Sequence, residues 1–250
     1  MKPLAHRIAL ITGASKGLGK AMATALAAAG AKVLLVSRDL ESVEAVAIGI
    51  RHDGGQAEAF ACDVLAEASV VALREQVASR HPNIHILVNN AGINIRKPVT
   101  EFTLEEWKRV LDTNLTGAFL MCREFVPLMR GQGYGRIINM TSIMSHIALP
   151  QRTAYAASKA GLLGFTKALA LELAEEGVTV NGISPGPFAT EMNRPILENP
   201  EANRQFLSRI PMGTWGRVED IGALAVYLCS EAAAFMTGSD LLIDGGWTAQ

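Results

Sequence analysis

Short apolar runs alternate with helix-patterned stretches along the whole 250-residue chain, and this alternation limits the fold more than any other feature. The runs Arg7–Thr12, Lys32–Ser37, Ala57–Ala61, His85–Asn89, Arg136–Thr141, Thr179–Ser184 and Leu241–Asp244 read as strands. Helical spacing fills about 17–30, 40–52, 66–80, 103–130, 153–176 and 219–230. Runs such as V-L-L-V and I-H-I-L-V are apolar throughout, as strands are when helices cover both faces of their sheet. The expected fold is α/β, a doubly wound parallel sheet flanked by helices on both faces, in a single domain over residues 1–250. The one long irregular stretch, 185–216, is rich in Pro and polar residues, with a short helix expected near 199–208. It follows a strand's carboxyl end, where open sheets bind ligands, and reads as a substrate loop.

A content of 49% hydrophobic and 19% charged residues is enough for one sizeable core. The formal net charge of −1 makes no electrostatic case for nucleic acid or an anionic membrane. No apolar run approaches the ~18 residues of a membrane span, and the opening M-K-P-L-A-H-R-I-A-L lacks a signal peptide's apolar region. Cys62, Cys122 and Cys229 are odd in number and far apart, without metal-ligand spacing. Reduced core thiols, no metal site and a cytoplasmic location are the expectations.

Thr12–Gly19, T-G-A-S-K-G-L-G, follows the first strand and opens the first helix. Gly13, Gly17 and Gly19 would let the backbone turn sharply and approach a pyrophosphate at the helix N-terminus, with Ser15, Lys16 and Leu18 in the same turn. The spacing G-x-x-x-G-x-G departs from the G-x-G-x-x-G fingerprint. Its place between strand and helix is what points to a Rossmann-type dinucleotide site; a tight βα turn is the plain alternative. Ser37 ends the second strand and Arg38 follows; an Arg there suits a 2′-phosphate, an acid the 2′-hydroxyl. With Lys16 they favour NADP; NAD is the alternative, through Asp39, although D-L-E-S suits a helix N-cap. Asp63 and Val64 follow the third strand, Asp63 either capping the next helix or meeting an adenine amino group. Asn90 and Gly92, in N-N-A-G, end the fourth strand, where small residues admit a cofactor and an Asn-Gly-type turn is the bland reading. Asn114 stands within a helical pattern it suits poorly. If buried, its amide needs water or another helix's backbone.

Tyr155 and Lys159 are four residues apart at the start of an alanine-rich helix, hence on one face. An ammonium there is expected to lower the phenol from its usual pKa of ~10, toward acid–base chemistry. Ser142, at the end of a strand, would hold a substrate oxygen by its hydroxyl.

In this order and spacing the motifs resemble those of the short-chain dehydrogenase/reductase family, in its compact single-domain branch, from Thr12 to I-D-G-G-W near the C-terminus. The resemblance implies that Tyr155 is the general acid/base, that Ser142 orients the carbonyl or alcohol, and that Lys159 binds the nicotinamide ribose and lowers the Tyr155 pKa. It further implies that Asn114 holds a relay water, that Asn90 lies along the cofactor, and that Phe188 and Thr190 contact the nicotinamide carboxamide. Lys16 and Arg38 match the basic pair of NADP-preferring members. A homotetramer is implied as well, with helices 103–130 and 153–176 in one interface and the final strand in another.

The segments A-G-I-N-I-R-K-P and W-G-R-V-E-D resemble gluconate 5-dehydrogenase-like members, which act on sugar acids and polyols. Arg96 and Arg152 are then candidates to pair with a substrate carboxylate, and His146 to meet a substrate hydroxyl; solvated arginines and a pocket-lining histidine are the alternatives. The expected partner is a small carbonyl or alcohol. A 3-oxoacyl-acyl-carrier-protein reductase ranks second, since Glu172, Glu175 and Glu176 are expected to repel an acidic carrier. A non-catalytic NADP-binding regulator ranks third, opposed by the intact Ser142, Tyr155 and Lys159.

Overall fold

The structure, a computed structural model, describes residues 2–250. Strands β1 (Ile8–Thr12), β2 (Lys32–Ser37), β3 (Gln56–Ala61), β4 (Ile86–Asn89), β5 (Gly135–Met140), β6 (Val178–Pro185) and β7 (Asp240–Ile243) form one parallel sheet in the order β3-β2-β1-β4-β5-β6-β7. All seven lie where the apolar runs predict them, within a residue or two at each end.

The continuous runs have the expected cause. Ala9 and Ile11 of β1 join a core on one face with Met22, Leu26, Ile221 and Leu228, from helices α1 (Gly17–Ala28) and, much later in the chain, Val218–Cys229. Leu10, between them, joins the core on the other face with Val70, Leu73, Phe125, Leu169 and Leu173. Helix α2 (Leu40–His52) packs on the first face; α3 (Glu67–Arg80), α5 (Gly117–Phe125) and α6 (Thr153–Leu173) supply the second. Alternate strand residues thus enter opposite cores, and neither face tolerates polarity.

The predicted 103–130 helix is not continuous. It divides into α4 (Leu104–Leu111), a π-helical turn Asp112–Thr116, α5, and a 3₁₀ turn Val126–Leu128. A capping box between Thr103 and Glu106 starts α4. The π turn carries Asn114 inward, so the residue that suits a helix poorly marks the place where the regular bonding lapses. After α6 the expected 153–176 helix ends in a 3₁₀ turn, Ala174–Glu176, closed by Gly177 at φ 72°. Within 185–216 the expected helix is α8 (Pro200–Leu207), preceded by a four-residue α7 (Arg194–Leu197) that sequence pattern did not indicate; α9 is Val218–Cys229.

Candidate active site

The chain leaves β1 toward β2 on one side and β4 toward β5 on the other, although β1 and β4 are neighbours. Such a reversal opens a crevice at the strands' carboxyl ends. A cavity of about 360 Å³ occupies it, running from the Gly13–Gly19 turn to Tyr155 and on under the 185–216 loop.

At its nucleotide end, Thr12 and Asn90 bind the two central loops together. Thr12 Oγ1 accepts from the Asn90 and Ala91 amides at 3.0 and 3.1 Å. Asn90 Nδ2 donates to the carbonyls of Thr12 and Gly13 at 2.9 and 3.0 Å. Asn90 therefore braces the glycine turn, besides lining the cavity. A Cβ on Gly19 would fall 2.3 Å from the Gly13 carbonyl and 2.4 Å from Asn90 Nδ2, so only glycine fits. Helix α1 begins here with no side-chain cap and no acid in its first turn. An uncapped N-terminus facing a cavity is the arrangement that takes a phosphate, and the cradle fits a dinucleotide.

Ser15, Gly17 and Leu18 line the same turn, and Ser37 Oγ lies 3.5 Å from Ser15 Oγ. Lys16 and Arg38 are both exposed at the rim. Asp39 is committed elsewhere: its carboxylate caps α2, accepting from the Glu41 and Ser42 amides at 3.1 and 3.3 Å and from the Ser42 hydroxyl. Those bonds, the Ser42 hydroxyl foremost, hold its pKa below the usual carboxylate range. Asp63 and Val64 line the cavity; Asp63 Oδ1 accepts from the Leu65 amide at 3.1 Å, while Ala66 is the N-cap of α3. Phe188, buried, and Thr190 line the opposite wall.

At the catalytic end, Lys159 is buried and its ammonium donates to the Met140 carbonyl at 2.5 Å. Its nitrogen lies 5.6 Å from the centre of the Tyr155 ring. Burial pulls Lys159 down to about 8. Tyr155 moves the other way: burial raises it, opposed by the hydrogen-bonding Ser142 hydroxyl and then by the Arg152 and Arg96 guanidiniums. The expectation that Lys159 lowers the phenol is corrected. Desolvation outweighs the attraction, and the cations acting on the phenol are the arginines. Ser142 Oγ accepts from the Met144 amide at 3.1 Å. Asn114 is clamped to Ile93, accepting from its amide at 2.8 Å and donating to its carbonyl at 3.0 Å, with Ser158 Oγ at 2.9 Å. Gly92 leaves room there, since a Cβ would lie 3.2 Å from Asn114 Oδ1 and 3.7 Å from Lys159 Nζ.

Arg96 and Arg152 both line the cavity. Arg96 donates to Asn193 Oδ1 at 2.9 Å and to the Met192 carbonyl at 3.3 Å, tying the β4–α4 loop to the substrate loop. Among the described residues, Arg152 Nη1 is buried without a hydrogen-bond partner. Burial first, then the neighbouring Arg96, brings Arg152 down to about 10.

Two sequence expectations fail on geometry. His146 is turned away from the cavity, because its Nε2 pairs with Asp240 at 2.5 Å. Glu172, Glu175 and Glu176 stand at the far end of α6, and 17 or more residues at ~1.5 Å each put them roughly 25 Å or more from Tyr155. They cannot repel a carrier at the cavity mouth. Other lining residues were not foreseen: Asn94, whose buried Oδ1 has no partner, and Phe206 and Trp247, 5.0 Å apart between ring centres. Trp247 closes the I-D-G-G-W motif, but no local pattern reveals that the C-terminus returns to the cavity.

A glycine turn at the switch point of a parallel sheet, with a serine, a tyrosine and a buried lysine at the same crevice, defines a dinucleotide-binding oxidoreductase. Comparison with known proteins makes that class definite. A family model described as enoyl-(acyl carrier protein) reductase matches residues 13–248. D-threitol dehydrogenase of Mycolicibacterium smegmatis is 42% identical, covering 97% of this chain and 93% of that protein. A 3-oxoacyl-[acyl-carrier-protein] reductase of Synechocystis is 40% identical, covering 98% of each. The crystal structure of a gluconate 5-dehydrogenase from Burkholderia cenocepacia, in complex with NADP and tartrate, superposes with a TM-score of 0.95 at 36% identity, covering 99% of this chain and 97% of that one. The chain belongs to the short-chain dehydrogenase/reductase family.

Proposed function

We propose that this protein interconverts a carbonyl and a secondary alcohol on a small carboxylate-bearing substrate, a sugar acid or related hydroxy acid, with NADP(H). When bound, NADP(H) supplies or accepts the hydride. Gly13–Gly19 and the α1 N-terminus hold its pyrophosphate, and Ser37, Arg38 and Lys16 its 2′-phosphate. Asp63, Val64, Asn90 and Gly92 border the adenosine and ribose path; Phe188 and Thr190 face the nicotinamide end. Ser142 and Tyr155 hold the substrate oxygen, and the phenol gives its proton to that oxygen during reduction and takes it back during oxidation. Lys159 fixes the nicotinamide ribose, and Asn114 keeps the π turn open beside it.

One observation carries the substrate class: Arg152 presents a buried nitrogen with no partner, next to a second guanidinium in the same cavity. A carboxylate satisfies both, in the bidentate geometry arginine favours. The tartrate in the Burkholderia enzyme is such an anion. The 40% identical acyl-carrier-protein reductase supports a second reading, which the distant acidic end of α6 no longer opposes. The protein in this reading acts in the cytoplasm as a homotetramer, and exposed Phe119 on α5, Leu171 on α6 and Leu242 on β7 support the assembly.

NADPH oxidation followed against keto-sugar acids, neutral diketones and acetoacetyl thioesters tests the reading. The expected order is keto acids first, with Tyr155→Phe binding NADPH normally and losing ~10²–10⁴ in turnover. Retention of a tenth of wild-type kcat by that variant refutes the proton-transfer role, and preference for the thioester refutes the substrate class.

A further inference from the structure

Asp240 opens β7 and stands opposite Gly182 of β6 in the parallel register. Its carboxylate lies across that glycine: a Cβ at 182 would sit 2.1 Å from Asp240 Oδ1. Glycine inside a central strand sacrifices packing and marks a close approach, and here the approaching group is this carboxylate. By crossing β6 it reaches the residue that follows β5, with Oδ1 2.6 Å from Thr141 Oγ1. Oδ2 accepts from Ser184 Oγ at 2.6 Å and pairs with His146 Nε2 at 2.5 Å. Thr141 and Ser184 are also joined, at 3.0 Å.

The three partners share one property: each adjoins a cavity-lining turn. Thr141 immediately precedes Ser142, Ser184 precedes Pro185–Gly186, and His146 ends the 3₁₀ turn Ile143–Ser145 that Ser142 caps. The Asp240 side chain is only 5% exposed, and among the described residues its one ionisable contact is the His146 ring. A buried carboxylate satisfied chiefly by hydroxyls is costly, whereas an apolar side chain on β7 would hold the sheet as well. The carboxylate supplies what an apolar group cannot, directional bonds to two turns at once.

We infer that Asp240 is a positioning residue that sets the Ser142 turn and the Pro185–Gly186 turn at one separation, and with it the place of the substrate oxygen relative to the Tyr155 phenol. The inference rests on the roles proposed above for Ser142 and Tyr155. It goes beyond them in giving an edge strand, outside the cavity, control of the geometry inside.

The test uses the full chain with Asp240→Ala, Thr141→Val, their double variant, His146→Ala and Ser142→Ala. Steady-state kinetics, NADPH titration by fluorescence and amide hydrogen exchange are measured on each. Asp240→Ala is expected to lower kcat about tenfold to a hundredfold, the range of a misplacement near 1 Å, while NADPH affinity stays within about twofold. The double variant is expected to lose little more than the worse single one, since both break one network. Exchange is expected to accelerate at 141–146 and at 184–186 together. His146→Ala removes a single contact from the half-exposed side, and its lower kcat with faster exchange at 143–146 supports the inference even where Asp240→Ala does not fold. Wild-type kcat in Asp240→Ala, or unchanged exchange at both turns, overturns it. If Ser142→Ala keeps full turnover, the role of Ser142 falls, and the exchange result alone decides for or against Asp240. If Ser142→Ala loses turnover while Asp240→Ala does not, only the positioning role falls.

Discussion

Arg152→Met should make the ligand-free protein more stable and its chemistry on anions worse. Arg152 is brought from 12.5 to about 10, by burial first and by Arg96 second. A difference of that size corresponds to on the order of 3 kcal/mol. Solvent reaches part of the side chain, so roughly 1–2 kcal/mol is the expected gain at pH 7 once screening is allowed for. The sign follows from linkage. A folded pKa below the unfolded one means that the unfolded state binds more protons between those values, so the penalty is present in full below pH 10 and relieved above it. Methionine fills similar volume without the charge, and a chain of this length should gain roughly 2–4 °C in Tm per kcal/mol. Loss of hydrogen bonds to a charged group costs ~1.5–3 kcal/mol, so kcat/KM for keto-acid reduction should fall roughly 10- to 150-fold. Reduction of a neutral diketone should change by less than about threefold. The assays are calorimetry on the ligand-free protein and NADPH consumption at pH 7, where the phenol carries its proton. A lower Tm, or equal losses on neutral and anionic substrates, would refute the claim that Arg152 is an unpaired cation kept for a carboxylate.

Lys159 gives a pH signature of its own. Its folded value of about 8 lies below the ordinary 10.5, so stability in urea should rise between pH 8 and 10.5, and Lys159→Met should flatten that rise. A wild-type slope unchanged in Lys159→Met would show that the lysine is not desolvated. Arg38→Ala should weaken NADPH binding by roughly tenfold through loss of a charge-assisted phosphate contact, leaving NADH unaffected. Equal weakening of both nucleotides would place Arg38 away from the 2′-phosphate.

The strands were legible because both faces of the sheet are covered, which leaves runs such as Val33–Val36 no polar position. Asp39 as a cap was legible because the cap bonds are local, within three residues. The break at Asp112–Thr116 was only half legible. Asn114 signalled a conflict with helix, but its resolution depends on Ile93, 21 residues earlier. His146 was misread because its partner Asp240 lies 94 residues away.

By itself the sequence determined the alternation of elements, the glycine turn at the head of α1, and the one-turn spacing of Tyr155 and Lys159. All of these are encoded in residues close together along the chain, where backbone periodicity and excluded volume act directly. Only the tertiary structure decided which way the Tyr155 phenol shifts, that Arg152 is left without a partner, that Trp247 returns to the cavity, and that Asp240 reaches across β6 to Thr141. Desolvation and hydrogen-bond satisfaction depend on what surrounds a group in space, and in this chain those neighbours come from distant strands and loops.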